Sequence, residues 1–242
     1  MRIGIVSDVH SNLPALEAVL EALGPVDGLW CLGDFVGYGP WPNECIELLR
    51  DRGVVAIAGN HDLAVIGEIP TDYFNQHAAL AAYWTGQQLT ADSRSFLTSL
   101  EAKTVVDDVT LAHGSPRDPV WEYLLSAAGA EESFPALSTS LCFVGHSHVP
   151  CLFAQAPGER TIGSYMEPDR TYTITETEIC IANPGSVGQP RDRDPRAAFL
   201  LYDTDARRLA WQRVAYDIPR VQARMREVGL PLPLADRLDR GA

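Results

Sequence analysis

Long apolar runs are missing from this 242-residue chain. No stretch approaches the ~20 apolar residues that a membrane span needs. The opening "MRIGIVSDVH" breaks its short apolar run at Asp8, too early for the core of a secretory signal. Cysteine is scarce: Cys31, Cys45, Cys142, Cys151 and Cys180 are odd in number and show no C-x-x-C spacing. That pattern argues against a disulfide framework and favours buried thiols in a reducing cytoplasm. Basic charge is also short, with 19 Lys and Arg against 32 Asp and Glu and a net charge of −13. Non-specific binding to nucleic acid or to an anionic membrane wants the opposite balance and is not expected. No low-complexity tract and no internal repeat is present.

What remains is a chain with 46% hydrophobic residues, enough to bury a sizeable core as one unit over residues 1–242. The first half alternates two patterns. Residues 2–7 read as a buried strand, and "NLPALEAVLEALG" spaces Leu13, Leu16, Val19, Leu20 and Leu23 along one helical face. "GLWCLG" reads as a second strand, "PNECIELLRDRG" as a second helix and "VVAIA" as a third strand, a succession that implies parallel pairing with right-handed crossovers. Residues 67–101 read as a helical insertion, followed by "TVVDD" and "VTLAH" across a tight turn. From residue 151 the pattern changes: "TYTITETEICIA" and "AAFLLYDTDARRLAWQRVAYD" alternate as hairpin strands. A helix over 218–228 and a polar, Pro-containing tail expected to be loosely held complete the chain.

The chemistry-bearing residues follow the apolar strands. The first strand ends in "SDVHSN", the second in "LGDFVGYGP", the third in "AGNHDL", and two later ones in "LAHGSP" and "VGHSHVP". A lone His or Asp at a strand end is usually a turn or capping residue. Five of the six histidines, two aspartates and an asparagine at successive strand ends are poorly explained that way. Open parallel sheets gather ligand sites beyond the carboxyl ends of their strands. Clustered His and Asp there suit a metal site without thiolate, which favours Mn, Fe, Zn, Co or Ni over Ca.

The ordered set D-x-H, G-D, G-N-H-D, H-G and G-H-x-H, from Asp8 to His148, resembles the calcineurin-like metallophosphoesterase superfamily. "GDFVGYGPWPNEC" and "NPGSVGQPRDRDPRAAFLLYD" resemble its phosphodiesterase-like or diadenosine tetraphosphatase-like bacterial and archaeal branch. The resemblance implies a four-layer αββα sandwich, two mixed β-sheets flanked by helices. It also implies two divalent or trivalent transition-metal ions: Asp8, His10, Asp34 and His148 would hold one, and Asp34, Asn60, His113 and His146 the other. A metal-bridging hydroxide would attack a phosphodiester or dinucleoside polyphosphate in line. His61 would assist the leaving oxygen and Asp62 would orient His61. The competing readings are a protein phosphatase or phosphomonoesterase with the same core, and a non-catalytic scaffold of this fold.

Substrate contacts are less marked. Asn12 and Tyr38 lie within four residues of Asp8 or Asp34. Arg191, in "QPRDRDPR", is a candidate phosphate clamp. His77 sits on the helix-like "HAALAAYW", where a packed or surface role competes with a phosphate contact. Trp41, Trp84 and Trp121 are candidates to stack on a base, with Trp84 at core-like spacing.

Overall fold

The computed structural model describes residues 1–242. In chain order its elements are β1 (Arg2–Val6), α1 (Leu13–Leu23), β2 (Gly28–Cys31), α2 (Pro42–Asp51), β3 (Val55–Ala56), α3 (Asn60–Ile66), α4 (Gln76–Gln88), α5 (Ala91–Thr98), β4 (Lys103–Val106) and β5 (Val109–Ala112). Then come α6 (Ala127–Ser133), β6 (Leu141–Phe143), β7 (Cys151–Gln155), β8 (Ile162–Tyr165), β9 (Thr171–Thr173), β10 (Ile179–Asn183), β11 (Ala197–Asp203), β12 (Arg208–Val214), α7 (Ile218–Glu227) and α8 (Leu232–Asp236). The strands form two mixed six-stranded sheets, ordered β3-β2-β1-β11-β12-β9 and β4-β5-β6-β10-β7-β8.

The two-residue period of a strand decides what each sheet face meets. Ile3 and Ile5 of β1 and Trp30 of β2 point into the core between the sheets, whereas Val6, Leu29 and Cys31 pack under α1 and α2. From the other sheet Leu111, Leu141, Phe143, Cys180 and Ala182 enter the shared core. Cys142, Val144 and Ile181 turn outward to Ala130 of α6. Both faces of the central strands are therefore buried, and the layers run helix, sheet, sheet, helix, the expected sandwich. All five cysteines are buried and free. No helix is long and apolar enough to cross a membrane.

The β4–β5 hairpin turns on Asp107 and Asp108, both at positive φ (47° and 67°), the geometry that matches a two-residue turn to the twist of its strands. "TYTITETEICIA" departs from the expected hairpin. Its first part, β9, pairs with β12 in one sheet, and its second, β10, runs between β6 and β7 in the other. A single alternating stretch thus crosses from sheet to sheet.

The tail is a second departure. Leu230, Leu234 and Leu238 recur every four residues, make one apolar stripe and are buried. They pack with Ala235 against Val221 and Met225 of α7, Ala78 and Ala81 of α4, and Tyr38. The Gly241 carbonyl accepts from the Arg193 amide at 2.8 Å, so the tail braces the loop that carries Arg191. Leu234→Ala should cost ~2–4 kcal/mol, as for other buried leucines. Urea unfolding checks this, and an unchanged midpoint would mean the tail is loosely held after all.

Candidate metal centre and its cavity

Five loops after β1, β2, β3, β5 and β6 converge, and backbone bonds lace them together. The amides of Asp8, His10 and Ser11 donate to the carbonyls of Gly33, Asp34 and Phe35, and the Gly145 amide donates to the His113 carbonyl. The G-D and G-N pairs meet so closely that a methyl on Gly59 would stand 2.1 Å from Asp34 Oδ1, and one on Gly33 2.5 Å from the Gly59 amide nitrogen. Asp8, His10, Asp34, His146 and His148 all take positive φ, between 48° and 63°. Each costs about 1 kcal/mol for an L-residue, a strain tolerated where surrounding structure over-determines the conformation.

These loops bring seven predicted residues into one buried cluster. The donor atoms of Asp8, His10, Asp34 and His148 lie within 4.8 Å of one another, as do those of Asp34, His113 and His146. Asp34 belongs to both sets. Its Oδ1 accepts from the His61 amide at 2.9 Å, while Oδ2 lies 3.6 Å from His10 Nε2 and 3.4 Å from His113 Nε2. Asn60 Oδ1 is 3.1 Å from His113 Nε2.

The hydrogen bonds fix the tautomers. Nδ1 of His10, His113 and His148 faces the carbonyls of Val36, Leu32 and Gln189 at 3.0, 2.7 and 2.5 Å. A carbonyl only accepts, so each Nδ1 carries a proton and each neutral ring presents the Nε2 lone pair inward. His146 is reversed: its Nε2 donates to the Trp121 carbonyl at 3.1 Å, leaving Nδ1 as the lone pair. The consequence is a set of acceptors facing acceptors. His10 Nε2 and His148 Nε2 stand 3.1 Å apart. Both oxygens of buried Asp8 have no donor at all. Such contacts repel unless a cation stands among them, so the donor set fits metal ions.

The titration behaviour tells the same story. Burial works against the charged forms of Asp8 and Asp34, yet both carboxyls are held well below the usual range, with the charged ring of His113 acting on each. Burial also opposes a proton on His113, but the Asp34 carboxylate overcomes it and raises that ring to about 9. His146 and His61, mainly desolvated, fall to about 3 and about 4.

A cavity of about 120 Å³ opens above the cluster, lined by Asp34, Asn60, His146 and His148 and by His61, Tyr38 and Arg191. The Tyr38 ring, at a φ of 57°, packs against His10 and His61 with centroids 4.6 and 4.4 Å away. Nη2 of Arg191 donates to Tyr38 Oη and Gln189 Oε1 at 3.3 and 3.2 Å.

Other candidates lie elsewhere. Asn12 caps α1, accepting from the Ala15 amide and donating to the Gly188 carbonyl, so both its polar atoms are used. His77 is exposed and absent from the cavity lining. Asp62 makes no hydrogen bond to His61. Its carboxylate accepts from the Gly59 and Val36 amides, capping α3 and tying it to the Asp34 loop, and burial beside Asp34 pushes it up to about 8. His61 Nδ1 is buried without a partner. Of the tryptophans only Trp121 lines the cavity, joined by Tyr73, Phe74, Asn75 and Tyr123. No motif pointed to those four. They lie on the segment before α4 and on an irregular loop, without periodic signal.

Residues 1–207 match the model of the calcineurin-like phosphoesterase superfamily domain. The crystal structure of a metallophosphoesterase from Sphaerobacter thermophilus superposes with a TM-score of 0.90 at 46% identity, covering 100% of this chain and 99% of the other. An uncharacterised protein of Methanocaldococcus jannaschii is 37% identical over 98% of this chain and 96% of its own. Phosphodiesterase YfcE of Escherichia coli is 28% identical over 85% and 89%. The chain belongs to the calcineurin-like phosphoesterase superfamily and is a phosphoesterase.

Below about pH 9 the metal-free protein keeps a proton on His113 that a bound cation must displace. Manganese loading at pH 7 should therefore release about one proton per chain. Calorimetry in two buffers of different ionisation enthalpy checks this; identical heats in both would contradict it.

Proposed function

We propose that this protein is a dinuclear metal-dependent phosphodiesterase acting on small phosphodiesters or dinucleoside polyphosphates. The observation that carries the reading is Asp34 Oδ2, shared by two donor sets beneath a cavity lined by His61, Tyr38 and Arg191. Asp8, His10, Asp34 and His148 would hold one ion, and Asp34, Asn60, His113 and His146 the other. Two such ions, when bound, supply Lewis-acid charge to the phosphoryl oxygens and make water acidic enough to attack at neutral pH. With mixed nitrogen and oxygen donors, Mn, Fe, Zn, Co and Ni all suit the site.

The chain's own groups do the rest. Hydrogen bonds from Nδ1 to backbone carbonyls hold three imidazoles in one tautomer with Nε2 directed inward. Arg191, steadied by Tyr38 and Gln189, lines the cavity, and its planar fork suits a phosphate oxygen. His61 lines the cavity with no carboxylate to orient it; its backbone amide is fixed on Asp34 and its ring is wedged between Tyr38 and Phe74. Burial keeps this ring neutral, and an anionic phosphate beside it favours the protonated form. His61 then donates that proton to the departing oxygen.

The test is turnover by metal-stripped protein reconstituted with manganese, offered diadenosine tetraphosphate and bis(p-nitrophenyl) phosphate separately. Hydrolysis of at least one is expected, and none by protein with two ions demonstrably bound would overturn the reading. His61→Ala should keep both ions, counted by elemental analysis, and lose at least ~100-fold in rate. Arg191→Ala should raise KM more than it lowers kcat; an effect on kcat alone would move Arg191 from binding to chemistry.

A further inference from the structure

The cavity beside the cluster opens to solvent, and a group esterified to a phosphoryl held there would lie toward its mouth. One wall of that mouth is aromatic. Tyr73, on the segment before α4, is 79% exposed, and Tyr123 is 51% exposed, although large aromatic side chains are usually buried. Tyr73 meets the Trp121 ring at 5.6 Å and 59° between planes, and Phe74 meets the same ring edge-on at 5.7 Å. Tyr123 lies flat on His146, centroids 4.0 Å apart and 14° between planes, which leaves its other face outward. The two remaining rings of the site are already committed: Phe74 packs on His61 at 4.6 Å, and Tyr38 is buried between His10 and His61.

We propose that Tyr73, Trp121 and Tyr123 form an aromatic clamp for a planar group of the substrate, a nucleobase or aryl ring, attached close to the scissile phosphate; this rests on the phosphodiesterase reading above. The clamp is tied to the centre. The Trp121 carbonyl holds His146 Nε2, and Tyr123 covers the same ring, so a base stacked there sits directly beside the donor set of Asp34, His113 and His146. Stacking tolerates different bases because each offers a π-face. Asn75 adds one polar group at the rim: its Oδ1 is taken by the Ala78 amide, which leaves Nδ2 to donate. The favoured class is therefore a nucleoside 5′-phosphodiester or aryl phosphodiester rather than an alkyl or sugar diester.

Calorimetry on the manganese-loaded protein tests the clamp with three probes: inorganic phosphate, ribose 5-phosphate and adenosine 5′-monophosphate. Binding of the nucleotide should be at least ~10-fold tighter than that of the sugar phosphate, the range base–aromatic stacking supplies. Tyr73→Ala and Trp121→Ala should each erase most of that preference with phosphate binding unchanged, and Tyr73→Phe should keep it. Trp121→Ala retains the carbonyl that holds His146, and Tyr73 is too exposed for its loss to unfold the chain. Equal affinities in the wild type, or a preference that survives both alanine variants, would overturn the clamp. Turnover of bis(p-nitrophenyl) phosphate, measured in parallel, separates the two ideas. Turnover without a base preference sinks the clamp alone, whereas a base preference with turnover of neither this ester nor diadenosine tetraphosphate supports the clamp and sinks the phosphodiesterase reading.

Discussion

Two carboxylates buried side by side with too few donors are the constraint on which this structure turns. Asp8 has no hydrogen-bond donor for either oxygen, and Asp34 has one amide and two imidazoles that present lone pairs when neutral. Isolated buried anions of this kind cost far more than any single contact returns. The protein meets that cost with positive charge: a proton on His113 when nothing else is there, and metal ions when they are available. The same shortage that would destabilise an ordinary core makes this one a cation site.

The loops around that centre are held in conformations they would not choose. Five of the seven cluster residues sit in the left-handed region, where a free L-residue loses about 1 kcal/mol. Such geometry persists because both sheets anchor it. Asp8, His10, Asp34 and Asn60 come from loops of the first sheet, and His113, His146 and His148 from loops of the second. The apolar core between the sheets, from Ile3, Ile5 and Trp30 to Leu141, Phe143 and Ala182, keeps the two loop sets opposed. Packing far from the centre therefore determines the distances within it.

Much of the site was legible because ligand residue types recur after successive apolar strands, with Asp8, Asp34 and Asn60 spaced at 26 residues. Spacing reports where a side chain is delivered, not what it touches on arrival. Asp62 looked like a partner for His61 because it is next in sequence, yet on the first turn of α3 its carboxylate folds back to the Gly59 and Val36 amides. Asn12 and His77 fell in the right neighbourhood, but one is consumed as a helix cap and the other faces solvent. The aromatic residues Tyr73, Phe74 and Tyr123 carried no signal, since irregular segments place them. Period-two alternation over "TYTITETEICIA" records burial but not the partner strand, which hid the change of sheet between β9 and β10. The Leu230, Leu234 and Leu238 stripe was present in the tail but interrupted by Pro231 and Pro233.

The strand order also dictates when the molecule can be finished during synthesis. β1 lies between β2 and β11, and β6 lies between β5 and β10, so each sheet closes on a strand made late. As the nascent chain emerges, β1 keeps an open, apolar edge until residues 197–203 have left the ribosome. Until residue 148 has been made, the loops that carry Asp8 and Asp34 exist while His113, His146 and His148 do not all do so. Between those points the growing chain carries an unfinished sheet edge, and earlier also unmatched acidic groups, the kind of exposure from which chaperones shield growing polypeptides.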